Sequence, residues 1–216
     1  MFTKTICSTA VFGALLATAA QATTEASTWT DLNLRAGPGP MYEIVGVIPA
    51  QGVVSVEGCL EAANWCKVSF GGAVGWASGD YLTAMVDSTP VVVYANREKV
   101  AVGTVTYEDQ SEEGAAVGAA TGAVAGAMVA GPVGALVGAV LGGGVGSTAP
   151  DQKVTTYVMG NPVEQVYLDG EVVVGAGIPE TVVLTEVPDS DYSYAYVNGV
   201  PVIVERKQRQ IVYIVR

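Results

Sequence analysis

Apolar and polar positions alternate in short runs along most of this chain, and the runs stop at Gly, Pro or Asn. Asp31-Leu32-Asn33-Leu34-Arg35 alternates and runs into the turn Ala36-Gly37-Pro38-Gly39-Pro40. Ile44-Val45-Gly46-Val47-Ile48 ends at Pro49, and Gln51-Gly52 turns into Val53-Val54-Ser55-Val56. Lys67-Val68-Ser69-Phe70 leads to Gly71-Gly72. Val74-Gly75-Trp76-Ala77 is closed by Gly79-Asp80-Tyr81-Leu82. Five short strands with turn signals between them predict a small barrel over residues 28–85.

The pattern changes three times beyond that point. Residues 86–113 hold two β-type runs, Val91 to Tyr94 and Lys99 to Tyr107, followed by an acidic stretch, and read as a β-rich linker. Residues 114–149 carry no charge. Here Gly114, Gly118, Gly122 and Gly126 repeat every four residues, Gly131-Pro132 interrupts, and Gly134, Gly138, Gly142 and Gly146 resume the spacing. Four residues is close to one helical turn, so each set lines one face of a helix. The stretch predicts a helical hairpin turning at Gly131-Pro132. Residues 150–216 return to Val- and Tyr-rich runs. Asp169-Gly170 between Val163–Leu168 and Glu171–Val174 predicts a hairpin with a type I′ turn, and Asn198-Gly199 between Tyr192–Val197 and Val200–Val204 predicts a second. Glu180–Val187 and Gln210–Val215 read as further strands. The expected fold class is mainly β: a small barrel, a Gly/Ala-rich helical hairpin and a C-terminal β-hairpin-rich module.

Composition narrows the chemistry. The chain has 216 residues, 50% hydrophobic and 14% charged, which is too apolar and too weakly charged for an acidic disordered tail. It contains no His, which excludes imidazole general bases, His-assisted nucleophiles and His metal ligands. The net charge is −11, and an acid excess of that size argues against nucleic acid as a partner.

Residues 1–22 read as a secretory signal: Lys4 is the positive start, Ala10 to Ala20 an apolar run too short to span a bilayer, and Ala20-Gln21-Ala22 a small-x-small cleavage site before Thr23. Cleavage removes Cys7 and leaves Cys59 and Cys66. An even count in an exported chain reads as a disulfide across a hairpin, whereas a redox pair more often has C-x-x-C spacing. The expected compartment is the periplasm or cell envelope.

The first module resembles the bacterial SH3 (SH3b) family. The resemblance rests on Leu32-Asn33-Leu34-Arg35-Ala36-Gly37-Pro38, Val45-Gly46-Val47-Ile48-Pro49, Gly52, Trp65-Cys66-Lys67-Val68, Gly75-Trp76 and Tyr81-Leu82. It implies a β-barrel that binds cell-wall peptides or glycan. Tyr42, Trp65, Trp76 and Tyr81 are candidates for an aromatic groove, with Trp76 read as core ahead of ligand contact. Arg35 and Asp80 are either a ligand clamp or, more simply, turn and ion-pair residues.

The C-terminal segment, roughly 154–216, resembles the DUF 1236 family of exported proteins. The residues that carry this are Asn161-Pro162-Val163, Val172-Val173-Val174-Gly175, Ile178-Pro179-Glu180, Tyr194-Ala195-Tyr196-Val197-Asn198-Gly199 and Ile211-Val212-Tyr213-Ile214-Val215. That resemblance implies compartment and architecture, not chemistry. Arg206, Lys207 and Arg209 are a basic cluster that either meets anionic lipid or glycan or, as three charges in a tight turn usually are, is solvated. Tyr192, Tyr194 and Tyr196 alternate on a strand face, as a packed face does.

Two functions compete. The first is an exported, non-enzymatic envelope protein whose SH3-type unit contacts peptidoglycan. The second is a membrane-associated or self-assembling protein organised by the glycine-zipper segment, since so many Gly make an isolated aqueous helix weak and call for lipid, another copy or the rest of the chain as partner. Catalysis, a cofactor and a bound metal are not expected. Asp189 and Asp191, the nearest carboxylate pair, sit in a Pro-Asp-Ser-Asp turn and read as turn formers.

Overall fold

The structure, a computed structural model, describes residues 23–107, 128–132 (backbone only) and 150–216. Residues 1–22, read above as a signal segment, and the eight regularly spaced glycines from Gly114 to Gly146, read as a helical hairpin, lie outside the described residues.

The predicted strands of the first module are present, and the sheet is larger than predicted. It contains β1 (Thr24–Thr28), β2 (Leu32–Arg35), β3 (Ile44–Ile48), β4 (Val53–Cys59), β5 (Trp65–Phe70), β6 (Ala73–Ser78), β7 (Leu82–Val86) and β8 (Thr89–Val92). Their order is β3-β2-β6-β5-β4-β1-β7-β8. β1 begins before the predicted module and sits between β4 and β7, antiparallel to both. The linker folds back onto the sheet. Its first run becomes β8, Tyr94–Asn96 forms a 3-10 turn, and the second run contributes a bridge from Thr104 to Cys59 instead of a strand.

Cys59 and Cys66 face each other in the β4–β5 register and form the expected disulfide, with Cα atoms 3.9 Å apart. Both are fully buried. Replacing both with Ala is expected to lower the unfolding free energy by about 2–3 kcal/mol, the chain-entropy value for so short a loop. Urea unfolding of the two proteins checks this, and superimposable curves would rule it out.

The second sheet has the order β14-β13-β12-β10-β9. Its strands are β9 (Met128–Pro132), β10 (Gln165–Asp169), β12 (Tyr192–Val197), β13 (Val200–Glu205) and β14 (Gln210–Ile214), and the two-residue β11 (Thr185–Glu186) pairs with β12. The Asn198-Gly199 hairpin forms as predicted. Asn198 and Gly199 have φ of 51° and 89°, the left-handed pair that a type I′ turn needs.

The Asp169-Gly170 hairpin does not form. Gly170 has a positive φ but Asp169 does not, and β10 runs parallel to β12. Residues 171–174 leave the sheet because Glu171, Val172 and Val173 are buried elsewhere, in the contact described below. The predicted strand at 180–187 shrinks to β11. At the predicted hairpin turn of the glycine stretch, Met128–Pro132 is an extended strand parallel to β10. It lies at the sheet edge, where the missing N–H of Pro132 is tolerated.

One helix, α1 (Gln152–Gly160), has no counterpart in the sequence reading. Asp151 caps it by accepting from the Lys153 N–H at 3.2 Å. Val154 and Val158, four apart, pack with Val187, Tyr194 and Ile203. Tyr194 and Tyr196 donate to the carbonyls of Asn161 and Val158, serving acceptors at the helix C-terminus. The alternating tyrosines are therefore a packed face under α1.

Candidate functional site

β2 reads Leu-Asn-Leu-Arg, the pattern of a strand with one wet face, yet all four residues are buried. Leu32 and Leu34 project to one face. Asn33 and Arg35 project to the other, and that polar face is covered by the C-terminal unit. Glu171 enters it from the turn after β10. Its carboxylate accepts from Arg35 Nε at 2.5 Å, Arg35 Nη2 at 2.7 Å, Asn33 Nδ2 at 3.0 Å and the Val172 N–H at 2.8 Å. The Arg35 and Glu171 side chains are 1% and 0% exposed. The other donors of Arg35 are also used: Nη1 to the carbonyls of Pro40 and Tyr42 at 2.9 and 2.8 Å, and Nη2 to the carbonyl of Asn198 at 3.0 Å. A buried ion pair survives only when its remaining lone pairs and protons are satisfied, and this one meets that condition.

The contact extends on both sides of the ion pair. Asn198, fully buried, accepts from the Leu168 N–H and donates to the carbonyls of Leu168 and Gly170, fixing the turn that presents Glu171. Arg216 reaches back to Asp31 and Asn33. The buried apolar residues of the two units, among them Leu32, Leu34, Tyr81, Val172, Val173 and Val197, form one continuous core.

Of the five candidate ligand residues, Arg35 is thus the centre of an internal ion pair. Tyr81 is buried beside it, with its hydroxyl 3.5 Å from the Glu171 carbonyl. Burial pushes the Tyr81 phenol above its usual value, and the charges of Asp80 and Glu171 push it further in the same direction. Trp65 and Trp76 are each 4% exposed. Tyr42 is half-buried. Its ring lies on the backbone of Gly37, where a Cβ would come within 2.4 Å of the ring carbons. Tyr107, from the linker, meets Tyr42 and Trp76 edge-on at ring-centre distances of 5.7 and 5.4 Å. Asp80 accepts from Asn64 Nδ2 and holds the 3-10 turn at Gly79–Tyr81.

The basic cluster is largely committed to the fold. Arg206 donates to the carbonyls of Ser190 and Tyr192, and Arg209 to those of Ile178, Pro179 and Val182. A cleft of about 970 Å³ beside α1 is lined by side chains of both signs, including Asp151, Lys153, Asp189, Asp191 and Arg206. Among the described residues no group of three or more His, Cys, Asp or Glu could hold a metal ion.

Glu171 was not singled out in the sequence. It lies in an apolar run, Glu171-Val172-Val173-Val174, and an acid heading such a run is the one signal that marked it.

Known families match both units. A model described as a bacterial SH3 domain matches residues 30–83. The first unit is a bacterial SH3 domain. A model described as a domain of unknown function, DUF1236, matches residues 157–216. A stretch of 61 residues in this chain is 39% identical to a Bacillus subtilis (strain 168) protein named putative N-acetylmuramoyl-L-alanine amidase YrvJ. That stretch is 28% of this chain and 11% of the amidase, so most of the amidase has no counterpart in the match. The SH3 domain therefore holds Arg35 and Tyr81, and the DUF1236 region holds Glu171 and Asn198.

Proposed function

We propose that this is an exported, non-enzymatic protein of the cell envelope that associates with the cell wall through its SH3 domain. The observation that carries this is the match of that domain, supported by its likeness to part of a protein named as a putative N-acetylmuramoyl-L-alanine amidase. A buried disulfide suits an oxidising compartment outside the cytoplasm. The acidic charge gives no attraction to anionic polymers, so contact is by shape, ring faces and hydrogen bonds.

Arg35 and Tyr81 are covered, and Trp65 and Trp76 are almost wholly buried. The wall contact in this reading is therefore the half-exposed edge formed by Tyr42 and Tyr107. Among the described residues no helix is long and apolar enough to cross a membrane.

Residues 23–216, incubated with purified sacculi and sedimented, are expected to pellet with them. Tyr42→Ala is expected to lower the retained fraction severalfold under conditions where it stays folded, with a lower urea midpoint from the lost packing on Gly37 and Tyr107. Full recovery of the unmodified chain in the supernatant would reject the reading.

A further inference from the structure

We infer that the SH3 domain contains a binding notch for a single carboxylate, and that Glu171 of the DUF1236 region is its resident ligand. Three of the four donors to the Glu171 carboxylate come from β2 of the SH3 domain, namely Arg35 Nε, Arg35 Nη2 and Asn33 Nδ2. The Nη1 side of the guanidinium is aimed by its own domain, while Nη2 also donates to the Asn198 carbonyl of the DUF1236 region. Nη1 is held by the carbonyls of Pro40 and Tyr42, in the loop that follows β2. The receptor side of the contact therefore belongs to the SH3 domain, and the C-terminal unit supplies the anion together with the apolar plug Val172-Val173.

The geometry specifies the ligand class. Nε and Nη2 of one guanidinium address the two oxygens of one planar carboxylate, and Asn33 adds a third donor to the oxygen that Nη2 contacts. The pair is sealed from solvent, with both side chains at 1% exposure or less. With Glu171 in place the notch is closed to external carboxylates, including the free end of a wall peptide. An SH3 ligand that needs Arg35 has to compete with a tethered one. This pairing is independent of whether the chain binds the wall.

The experiment is chemical rescue in the chain 23–216. Glu171→Ala leaves a carboxylate-sized space facing Arg35 and Asn33. Its thermal midpoint is expected to rise by about 2–4 °C in ~0.2 M sodium acetate relative to equal sodium chloride, as a ligand binding only the folded state requires. The unmodified chain is expected to show no such difference. Equal midpoints in the two salts for Glu171→Ala, or the same acetate effect in the unmodified chain, would overturn the assignment. Should Glu171→Ala fail to fold in either salt, Asn33→Ala, Glu171→Gln and the double variant replace it. Their effects on the unfolding constant are expected to depart from multiplicativity by about fivefold or more, and independent effects would overturn it.

Discussion

Arg35→Met in the full chain is expected to lower the unfolding free energy by about 3–5 kcal/mol, one of the largest single-residue effects in this fold. The substitution preserves most of the side-chain length but leaves the Glu171 carboxylate buried with only Asn33 and the Val172 N–H as donors. It also strips the carbonyls of Pro40, Tyr42 and Asn198 of a donor. The part of the loss that arises from isolating a charge is restored by removing the partner as well, whereas the part from the three carbonyls is not. The double variant Arg35→Met, Glu171→Leu is expected to be closer in stability to the unmodified chain than to either single variant. Urea unfolding of the four proteins measures both effects. A single variant within about 0.5 kcal/mol of the original would mean that water reaches the pair, contrary to its burial.

Asn198→Ala is expected to cost about 3–5 kcal/mol, through two separable causes. The side chain serves the N–H and carbonyl of Leu168 and the carbonyl of Gly170, all at 2.8–3.1 Å, and truncation leaves these buried groups short of partners. The backbone is also in the left-handed region, φ 51°, which Asn tolerates better than Ala. Asn198→Gly removes the hydrogen bonds and not the backbone preference, so it should be less damaging than Ala by about 1 kcal/mol. Stability equal to the unmodified chain for Asn198→Gly would show that the side-chain bonds contribute nothing. Because Asn198 fixes the turn that carries Glu171, either variant should also weaken the cross-unit contact.

The parts legible in the sequence share a cause: their signals are local. Alternation plus Gly/Pro turns located the strands of the SH3 domain, and Asn198-Gly199 located its hairpin, because both patterns are read within a few residues. The disulfide needed only an even cysteine count and a short loop between strands. What failed to show was set by distant partners. Asp169-Gly170 has the composition of a hairpin turn, yet residues 171–173 leave the sheet because a guanidinium more than a hundred positions away holds Glu171. Leu-Asn-Leu-Arg looks like a strand with a solvated face, and only the second unit buries that face. α1 was missed although Asp151 followed by Val154 and Val158 carries a cap and an i, i+4 pair. The helix is short, and its apolar stripe is completed by Val187, Tyr194 and Ile203 from other strands. For the candidate site, Arg35 and Tyr81 were identifiable as residues of interest, but what they bind was not, since their partner is an acid at the head of a valine run.

The separation of Arg35 and Glu171 by 136 positions has a kinetic consequence. During synthesis the SH3 strands through β8 become available long before Glu171 does. Until then the guanidinium stays in water, and the β2 face it shares with Asn33 remains open. Native pairing has to wait for nearly the whole polypeptide, the regime in which loop closure slows folding and leaves partly structured chains exposed to aggregation and proteolysis. A chain terminated before residue 171 would leave Arg35 of the SH3 domain without its carboxylate partner, and the β2 face it shares with Asn33 open to water.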